Sequence, residues 1–269
     1  MDGTVCDQDP IDITFFVPCR NEEYNIIATL SNILDAARNF QYSYEILVFD
    51  DHSSDRSPKL IEEFRWEHPE AMIKLIINAF PVGLARNYVE AAIIGRGKYV
   101  KLVAGCNYEP RDAIIAILRK LGTADLVLLY YDNKRVFLRR AISKFYTVLV
   151  NVLSGYSLQH YHGVSLVPRD SILRWHPASG GYGFLAEFVT TALNEGATYV
   201  EVLVPWNVSK GHVSQALAWR NLLPVAHSLL NIFLNRIERN LRRNPIARVS
   251  NLPVMREHQK ASIVHIEVK

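Results

Sequence analysis

The sequence predicts an α/β domain: a mostly parallel sheet flanked by helices, with a helical tail at the C-terminus. Three observations predict it. Short β-branched and aromatic runs alternate with helix-patterned segments through residue 130, the order that produces a parallel sheet with helices on both faces. The early runs end on clusters of polar loop residues. And 49% of the 269 residues are hydrophobic against 21% charged, which supports one large core and argues against disorder.

Taken in order, Ile11 to Val17 mixes β-branched and aromatic residues and stops at Pro18, as a buried strand does. Ile26, Ile27, Leu30, Ile33, Leu34 and Ala37 then recur at helical spacing and form one apolar stripe. Tyr44 to Phe49 is the next strand, and Ser57-Pro58 reads as N-cap and N1 of a helix reaching about His68. A strand from Met72 to Ile77 is followed by a helix from Leu84 to Ile94, closed by Gly95-Arg96-Gly97. Tyr99 to Val103 is the fourth strand, the apolar positions from Ala113 to Leu121 mark another helix, and Leu126 to Tyr130 is the fifth strand.

Beyond Asp132 the pattern changes. Val136 to Leu153 reads as a basic-headed helix, Gly155 to Val167 as turns with a short strand, Phe184 to Leu193 as a helix and Thr198 to Val204 as the last strand. A long helical pattern runs from Ser214 to about Leu241. With no repeat or low-complexity linker, the division is an N-terminal tail over 1–10, one domain over 11–215 and a C-terminal helix and tail over 216–269. Within the domain, 11–130 forms one half and 131–215 the other.

Net charge of +3 is too small to imply nucleic-acid binding, although Arg236, Arg239, Arg242 and Arg243 cluster and suggest an anionic surface nearby. Cys6, Cys19 and Cys106 have no zinc-like spacing and leave one odd, so a disulfide framework is not expected, which favours the cytosolic side. The polar, acidic first ten residues do not read as a signal peptide, and the apolar stretch from Leu222 to Leu234 falls short of the roughly 20 residues a spanning helix requires. That stretch with its arginines reads as an amphipathic helix docking on the protein or on an anionic bilayer.

Ligands of open α/β sheets bind outside the carboxyl ends of the strands. Glu22 after the first strand and Asp50-Asp51 after the second are therefore placed to line one crevice and to grip hydroxyls and amides. Each has a plainer reading, Glu22 as a first-turn helix acid and the Asp pair as turn chemistry. Their placement at adjacent strand ends favours the functional one. Asp51 is expected to be an exposed carboxylate, dispensable for packing.

Val17-Pro18-Cys19-Arg20-Asn21-Glu22 and Phe49-Asp50-Asp51-His52-Ser53-Ser54-Asp55 resemble the paired nucleotide-binding signatures of family 2 glycosyltransferases of the GT-A fold, which use nucleotide-sugar donors. The resemblance extends over about residues 11–235. It implies a hexosyl transferase whose UDP- or GDP-sugar is held by Pro18, Arg20, Glu22, Asp50, Asp51 and Gly105. Gly83 to Asn87 resembles the family's Gly-x-Ala-Arg-Asn run, so Arg86 either contacts the donor diphosphate or is a surface helix residue.

The family implies Mg²⁺ or Mn²⁺ held by acidic groups after the fourth strand. Here Ala104-Gly105-Cys106-Asn107-Tyr108-Glu109-Pro110 resembles a Gly-Asp-Asn form of that motif with Cys106 in place of the aspartate. A thiol is a poor match for a hard cation, so the metal is in question, with Asn107 and Glu109 left to offer oxygens. As a small buried residue closing a strand, Cys106 has an equally good structural reading.

The second half most resembles the polyprenyl-phosphate sugar synthases of the dolichol-phosphate type. Arg139, Arg140 and Lys144 open a helix where cations oppose the dipole, a placement that a bound phosphate explains and that a solvated basic face also fits. Gly180 to Phe188 resembles the synthases' Gly-Tyr-x-x-x-x-Glu segment and assigns Glu187 to the site; Lys210 and Ser214 stand in the loop that resembles their ending. Catalysis then falls to Glu187, Arg139 and Arg140, and acceptor or phosphate contact to Lys144, Lys210 and Ser214. The expected reaction is inverting transfer to a polyprenyl-phosphate-type acceptor, with possible peripheral membrane contact at a cytoplasmic face and no nucleic acid. Transfer to a hydroxyl of a glycan or glycolipid, with Glu187 as base, and a non-catalytic nucleotide-binding protein are the alternatives.

Overall fold

A computed structural model describes residues 10–131, 137–161, 163, 166–175, 183–205 and 222–243. Strand β1 (Ile11–Cys19) is followed by α1 (Ile26–Ala37), β2 (Tyr44–Asp50), α2 (Ser57–Glu67), β3 (Ile73–Ile77), α3 (Leu84–Ile94), β4 (Gly97–Leu102), α4 (Arg111–Leu118) and β5 (Leu126–Tyr131). The remainder comprises α5 (Phe137–Ser154), β6 (Leu166–Pro168), α6 (Arg169–Arg174), α7 (Phe184–Asn194), β7 (Tyr199–Val204) and α8 (Leu222–Arg243). The strands form one sheet in the order β3-β2-β1-β4-β6-β5-β7.

Among the described strands only β6 is antiparallel to its neighbours, β4 and β5; the pairings β1–β2, β2–β3, β1–β4 and β5–β7 are parallel. Two reversals cancel, so β5 runs in the same sense as β4. The carboxyl ends of β1, β2, β4 and β5 therefore share one edge of the sheet. The sheet is buried on both faces, as parallel strands require. Along β1, Phe15 and Val17 join α1, α2 and α4 in one core, while Phe16 meets Tyr88 of α3 and the α7 cluster on the other side.

Several expectations are corrected at this level. Pro18 does not end the first strand, which continues to Cys19. Ser57 is the first helical residue rather than the N-cap, which is Arg56; the Ser57 hydroxyl serves the neighbouring loop instead. The short helix α6 has no counterpart in the sequence reading. Residues 206–221 lie outside the described set, so the helix expected from Ser214 is observed only from Leu222.

Helix α8 docks on the protein along one face, burying Ser228 and Ile232. Its arginines are used there. Arg236 Nη1 donates to Val152 O, and Arg239 donates to Ser154 O (3.0 Å) and Asn194 Oδ1 (2.8 Å) while stacking over Tyr156. These groups satisfy the orphan carbonyls at the α5 C-terminus, where cations suit the helix dipole. Arg236 and Arg239 thus serve an internal helix end. The opposite face of α8 leaves Leu230, Phe233, Leu234, Ile237 and Leu241 exposed, and α5 beside it exposes Phe145, Val148 and Val152.

Candidate active site

The loops after β1, β2 and β4 each contain a non-glycine residue in the left-handed region: Asn21 (φ 55°), His52 (φ 64°) and Asn107 (φ 57°). Such residues persist where the surroundings over-determine the backbone. Here hydrogen bonds stitch the first two loops together. Asn21 N–H donates to Ser53 Oγ (2.8 Å), Ser54 N–H to Asn21 Oδ1 (2.8 Å), Glu22 N–H to Ser57 Oγ (2.8 Å), Glu23 N–H to Asp55 Oδ2 (3.0 Å) and Asp51 N–H to Cys19 O (2.8 Å). Burial pushes the Asp55 carboxyl up, but bonds from Ser57 and Glu23 outweigh it and hold the group below its ordinary value. Much of the two motifs is thus spent on closing the loops.

Asp51 is not the exposed carboxylate expected; it retains 8% exposure. Its Oδ1 accepts from Val82 N–H (2.8 Å), Asn78 Nδ2 (3.0 Å) and Asn87 Nδ2 (3.3 Å), and its Oδ2 from Gly83 N–H (3.2 Å). Gly83 adopts φ 88° at the start of α3, a conformation that brings its N–H to the carboxylate at no steric cost. Burial raises the Asp51 pKa, yet the bonds from Val82, Asn78, Gly83 and Asn87 prevail and lower it. Asp51 consequently anchors the β3–α3 loop as a wall of the crevice. The neighbouring Asp50 accepts Ser53 N–H at Oδ2 (3.0 Å), and its buried Oδ1 has no hydrogen-bond partner among the described residues.

Glu22 is buried and accepts from Asn25 Nδ2 (2.9 Å). Arg20 stands exposed at the mouth of the same loop. Arg86 is exposed too, but is ion-paired with Glu90 one turn along α3 (3.0 Å), so an anion at α3 would have to compete for it. Pro18 contributes its carbonyl, which accepts from Gly105 N–H (3.1 Å). A Cβ on Gly105 would lie 2.7 Å from Pro18 O. The Gly105 hydrogen is therefore what lets the β4–α4 loop close on the end of β1.

That loop does not fit a Mg²⁺ or Mn²⁺ site. Cys106 is buried, and burial together with the nearby Glu22 charge pushes its thiol up to about 12, so it remains a neutral, soft donor. Asn107 Oδ1 accepts from Asn32 Nδ2 (2.9 Å). Glu109, expected to offer an oxygen, has a side chain with 0% exposure and pairs with Lys101 Nζ at 2.7 Å. Burial drives both members of this pair toward their neutral forms, and each opposes that shift in the other. Among the described residues, no three His, Cys, Asp or Glu side chains are grouped to hold a metal.

Further along the same edge, a cavity of about 350 Å³ opens between the end of β5, α5 and the 157–160 loop. Arg140 and Lys144 line it with Tyr130, Tyr131, Ser143 and His160, and none of the lining side chains is acidic. Asn151 builds its floor: the amide Oδ1 accepts from Leu158 N–H (3.0 Å) and Tyr161 Oη–H (2.7 Å), and Nδ2 donates to Leu158 O (3.1 Å). Neighbouring strands lie about 4.8 Å apart, so β5, two places from β4, puts this groove on the order of 10 Å from the β4–α4 loop.

Glu187 lies in the first turn of α7 with 3% exposure, close enough to Tyr146 that its charge helps raise that phenol. It is not among the groove's lining residues. The Arg139 side chain, Lys210 and Ser214 lie outside the described residues. Sequence reasoning missed the tyrosine pair and Asn151. Arg140, Lys144, Val148 and Asn151 do follow one another at helical spacing, which was the available signal.

Residues 14–104 match the family model for glycosyl transferase family 2. Among curated proteins, the chain is 22% identical over 228 residues to the dolichyl-phosphate beta-glucosyltransferase of Dictyostelium discoideum, covering 76% of this chain and 70% of that one. It is 25% identical over 187 residues to the undecaprenyl-phosphate 4-deoxy-4-formamido-L-arabinose transferase of Proteus mirabilis, covering 62% of this chain and 53% of that protein's length. In fold it is similar to glucosyl-3-phosphoglycerate synthase from Mycobacterium tuberculosis, solved with Mg²⁺ and uridine diphosphate (TM-score 0.61, 17% identity, 82% of this chain and 79% of the other). It also resembles S. aureus TarS 1-349 in complex with UDP (TM-score 0.52, 16% identity, 86% and 72%). Sequence motif and sheet topology agree: residues 14–104 match the glycosyl transferase family 2 model, and the sheet that carries them has the GT-A arrangement.

Proposed function

We propose that this chain is an inverting glycosyltransferase that moves a sugar from a UDP- or GDP-sugar to a polyprenyl-phosphate-type lipid acceptor. The observation that carries the reading is the pairing of two unlike sites on one sheet edge. The joined β1 and β2 loops leave Asp50 Oδ1 without a hydrogen-bond partner among the described residues, suited to a base or ribose, and about 10 Å beyond β4 lies a groove with two cations and no acidic lining side chain. The donor half is 11–130 and the acceptor half 131–215. An oxygen of the acceptor phosphate attacks the anomeric carbon, the carbon–oxygen bond to the nucleoside diphosphate breaks, and the configuration inverts.

A phosphate acceptor is already an anion and needs no general base, so positioning and charge neutralisation dominate. Arg140 and Lys144 supply cations in the groove, and Arg139, one residue earlier, Lys210 and Ser214 are assigned to the same task. A hydroxyl acceptor would need a base within hydrogen-bond reach. Glu187, buried in α7, is poorly placed for that role, which favours the phosphate. The relatives named for dolichyl and undecaprenyl phosphate support the same acceptor class. No helix of the described residues is long and apolar enough to cross a membrane. The exposed apolar side chains of α5 and α8 are suited to peripheral contact with the lipid surface that carries such an acceptor.

The test is transfer from UDP-glucose and GDP-mannose to a short-chain polyprenyl phosphate and, in parallel, to the matching polyprenol. Product on the phosphate alone is expected. Product on the alcohol alone would refute the acceptor assignment, and nucleotide binding without turnover on any donor would point to a non-catalytic protein.

A further inference from the structure

We propose that this chain binds its nucleotide donor without a divalent cation, because the internal ion pair Lys101–Glu109 already holds the β4–α4 loop in place. The inference rests on the nucleotide-sugar reading above.

A Mg²⁺ or Mn²⁺ ion at this loop would need several oxygens pointing outward at about 2.0–2.2 Å. Four of the loop's oxygen-bearing groups are already engaged within the protein. Glu109 gives one oxygen to Lys101 at 2.7 Å, its other oxygen is buried, and the side chain has no exposed surface. Releasing it would strand a fully buried ammonium, whose remaining acceptor is the Leu102 carbonyl (2.7 Å). Asn107 spends its oxygen on Asn32 from a left-handed backbone position, Gly105 O accepts Thr29 Oγ1 (3.0 Å), and Ala104 O accepts Asn107 N–H (3.2 Å). Cys106, at the position of the expected aspartate, offers only sulfur, a soft donor.

These same contacts do the ordering that a metal would otherwise do. Lys101 on β4 and Glu109 at the far end of the loop clamp it across its base, and Asn32 and Thr29 of α1 tie its middle. A loop pinned at its base and middle gains no order from an ion. The positive charge that a diphosphate needs is then left to the protein, with Arg20 exposed at the β1 loop.

Two measurements on the full chain decide the matter. UDP and GDP are titrated calorimetrically in EDTA and in excess Mn²⁺. Dissociation constants within threefold of each other are expected, and a tightening of threefold or more by Mn²⁺ overturns the inference. In parallel, the six-line EPR signal of free Mn²⁺ is followed on adding protein, with and without UDP. The expected result is no loss beyond that caused by UDP alone; a saturable further loss overturns the inference. Binding seen only with Mn²⁺ removes this inference and leaves the donor reading intact, whereas no nucleotide binding in either buffer removes the donor reading itself.

Discussion

Asp51→Ala is the sharpest probe of how the crevice is built. The substitution removes the acceptor of four donors, the N–H groups of Val82 and Gly83 and the side-chain amides of Asn78 and Asn87. A hydrogen bond to a charged group contributes about 1.5–3 kcal/mol, and a donor left buried without a partner costs about 1–3 kcal/mol. Val82 and Gly83 are half-buried, so water can replace part of what they lose, and Asn78 Nδ2 keeps Asn87 Oδ1 (2.9 Å). The net loss is then about 3 kcal/mol, or a fall in Tm of roughly 6–12 °C for a chain of this size. Urea unfolding at pH 7 measures it. Because the folded pKa of Asp51 lies below its ordinary value of 3.8, the charged group's contribution is fully present above that value. It is lost as the pH falls through the folded pKa. The gap between wild type and Asp51→Ala should therefore narrow below about pH 4. Equal stability of the two proteins within 0.5 kcal/mol at pH 7, or a gap that does not change with pH, would refute the reasoning. Any loss of nucleotide affinity in this variant is expected to come with the disordered β3–α3 loop rather than with an intact fold.

Further outcomes follow from the same geometry. Lys101→Met strands a buried carboxylate and should cost about 3–5 kcal/mol in denaturant unfolding, while Lys101→Met with Glu109→Leu should recover most of it; equal losses in both would contradict a true ion pair. Gly105→Ala drives a methyl to 2.7 Å from Pro18 O and is expected to cost about 1–3 kcal/mol and to weaken UDP binding in calorimetry. Cys106→Asp buries a carboxylate near Glu22. It should lower Tm in EDTA and regain part of that in Mn²⁺, whereas the wild-type Tm should ignore the ion. Arg140→Ala with Lys144→Ala should reduce transfer to a polyprenyl phosphate on the order of a hundredfold while leaving UDP affinity within a few-fold, as read by steady-state assay and titration.

Most of the architecture was legible in the chain because periodicity reports burial. The helix Leu84–Ile94 reads to the residue and every strand except β6 to within one or two, since alternating or continuous apolar runs bounded by Pro, Gly and Asp leave few alternatives. The reversal of β6 was not legible. Three residues, Leu166–Pro168, carry no directional signal, and their sense is set by which neighbours they pair with. The positions of the motifs, likewise, could be read locally: Glu22, Asp50, Asp51 and Cys106 all lie at strand ends, where the sheet gathers them.

What only the tertiary structure decided is which polar atoms are spent inside. Asp51 faces Val82, Asn78 and Asn87, 27 to 36 residues away in the chain, and no local pattern announces that a carboxylate will be claimed by a loop so distant. Glu109 reads as a possible oxygen donor until Lys101 is found against it, because alternation along β4 does not reveal that a lysine can be fully buried. The groove is the converse case. Arg140 and Lys144 were visible as cations on a helix, but Tyr130, Tyr131 and His160 reach them only when β5 and the 157–160 loop converge on α5. Residue type and period set where the chain bends and what it buries. The partner of each buried charge is a long-range contact, and it exists only once the sheet order is formed.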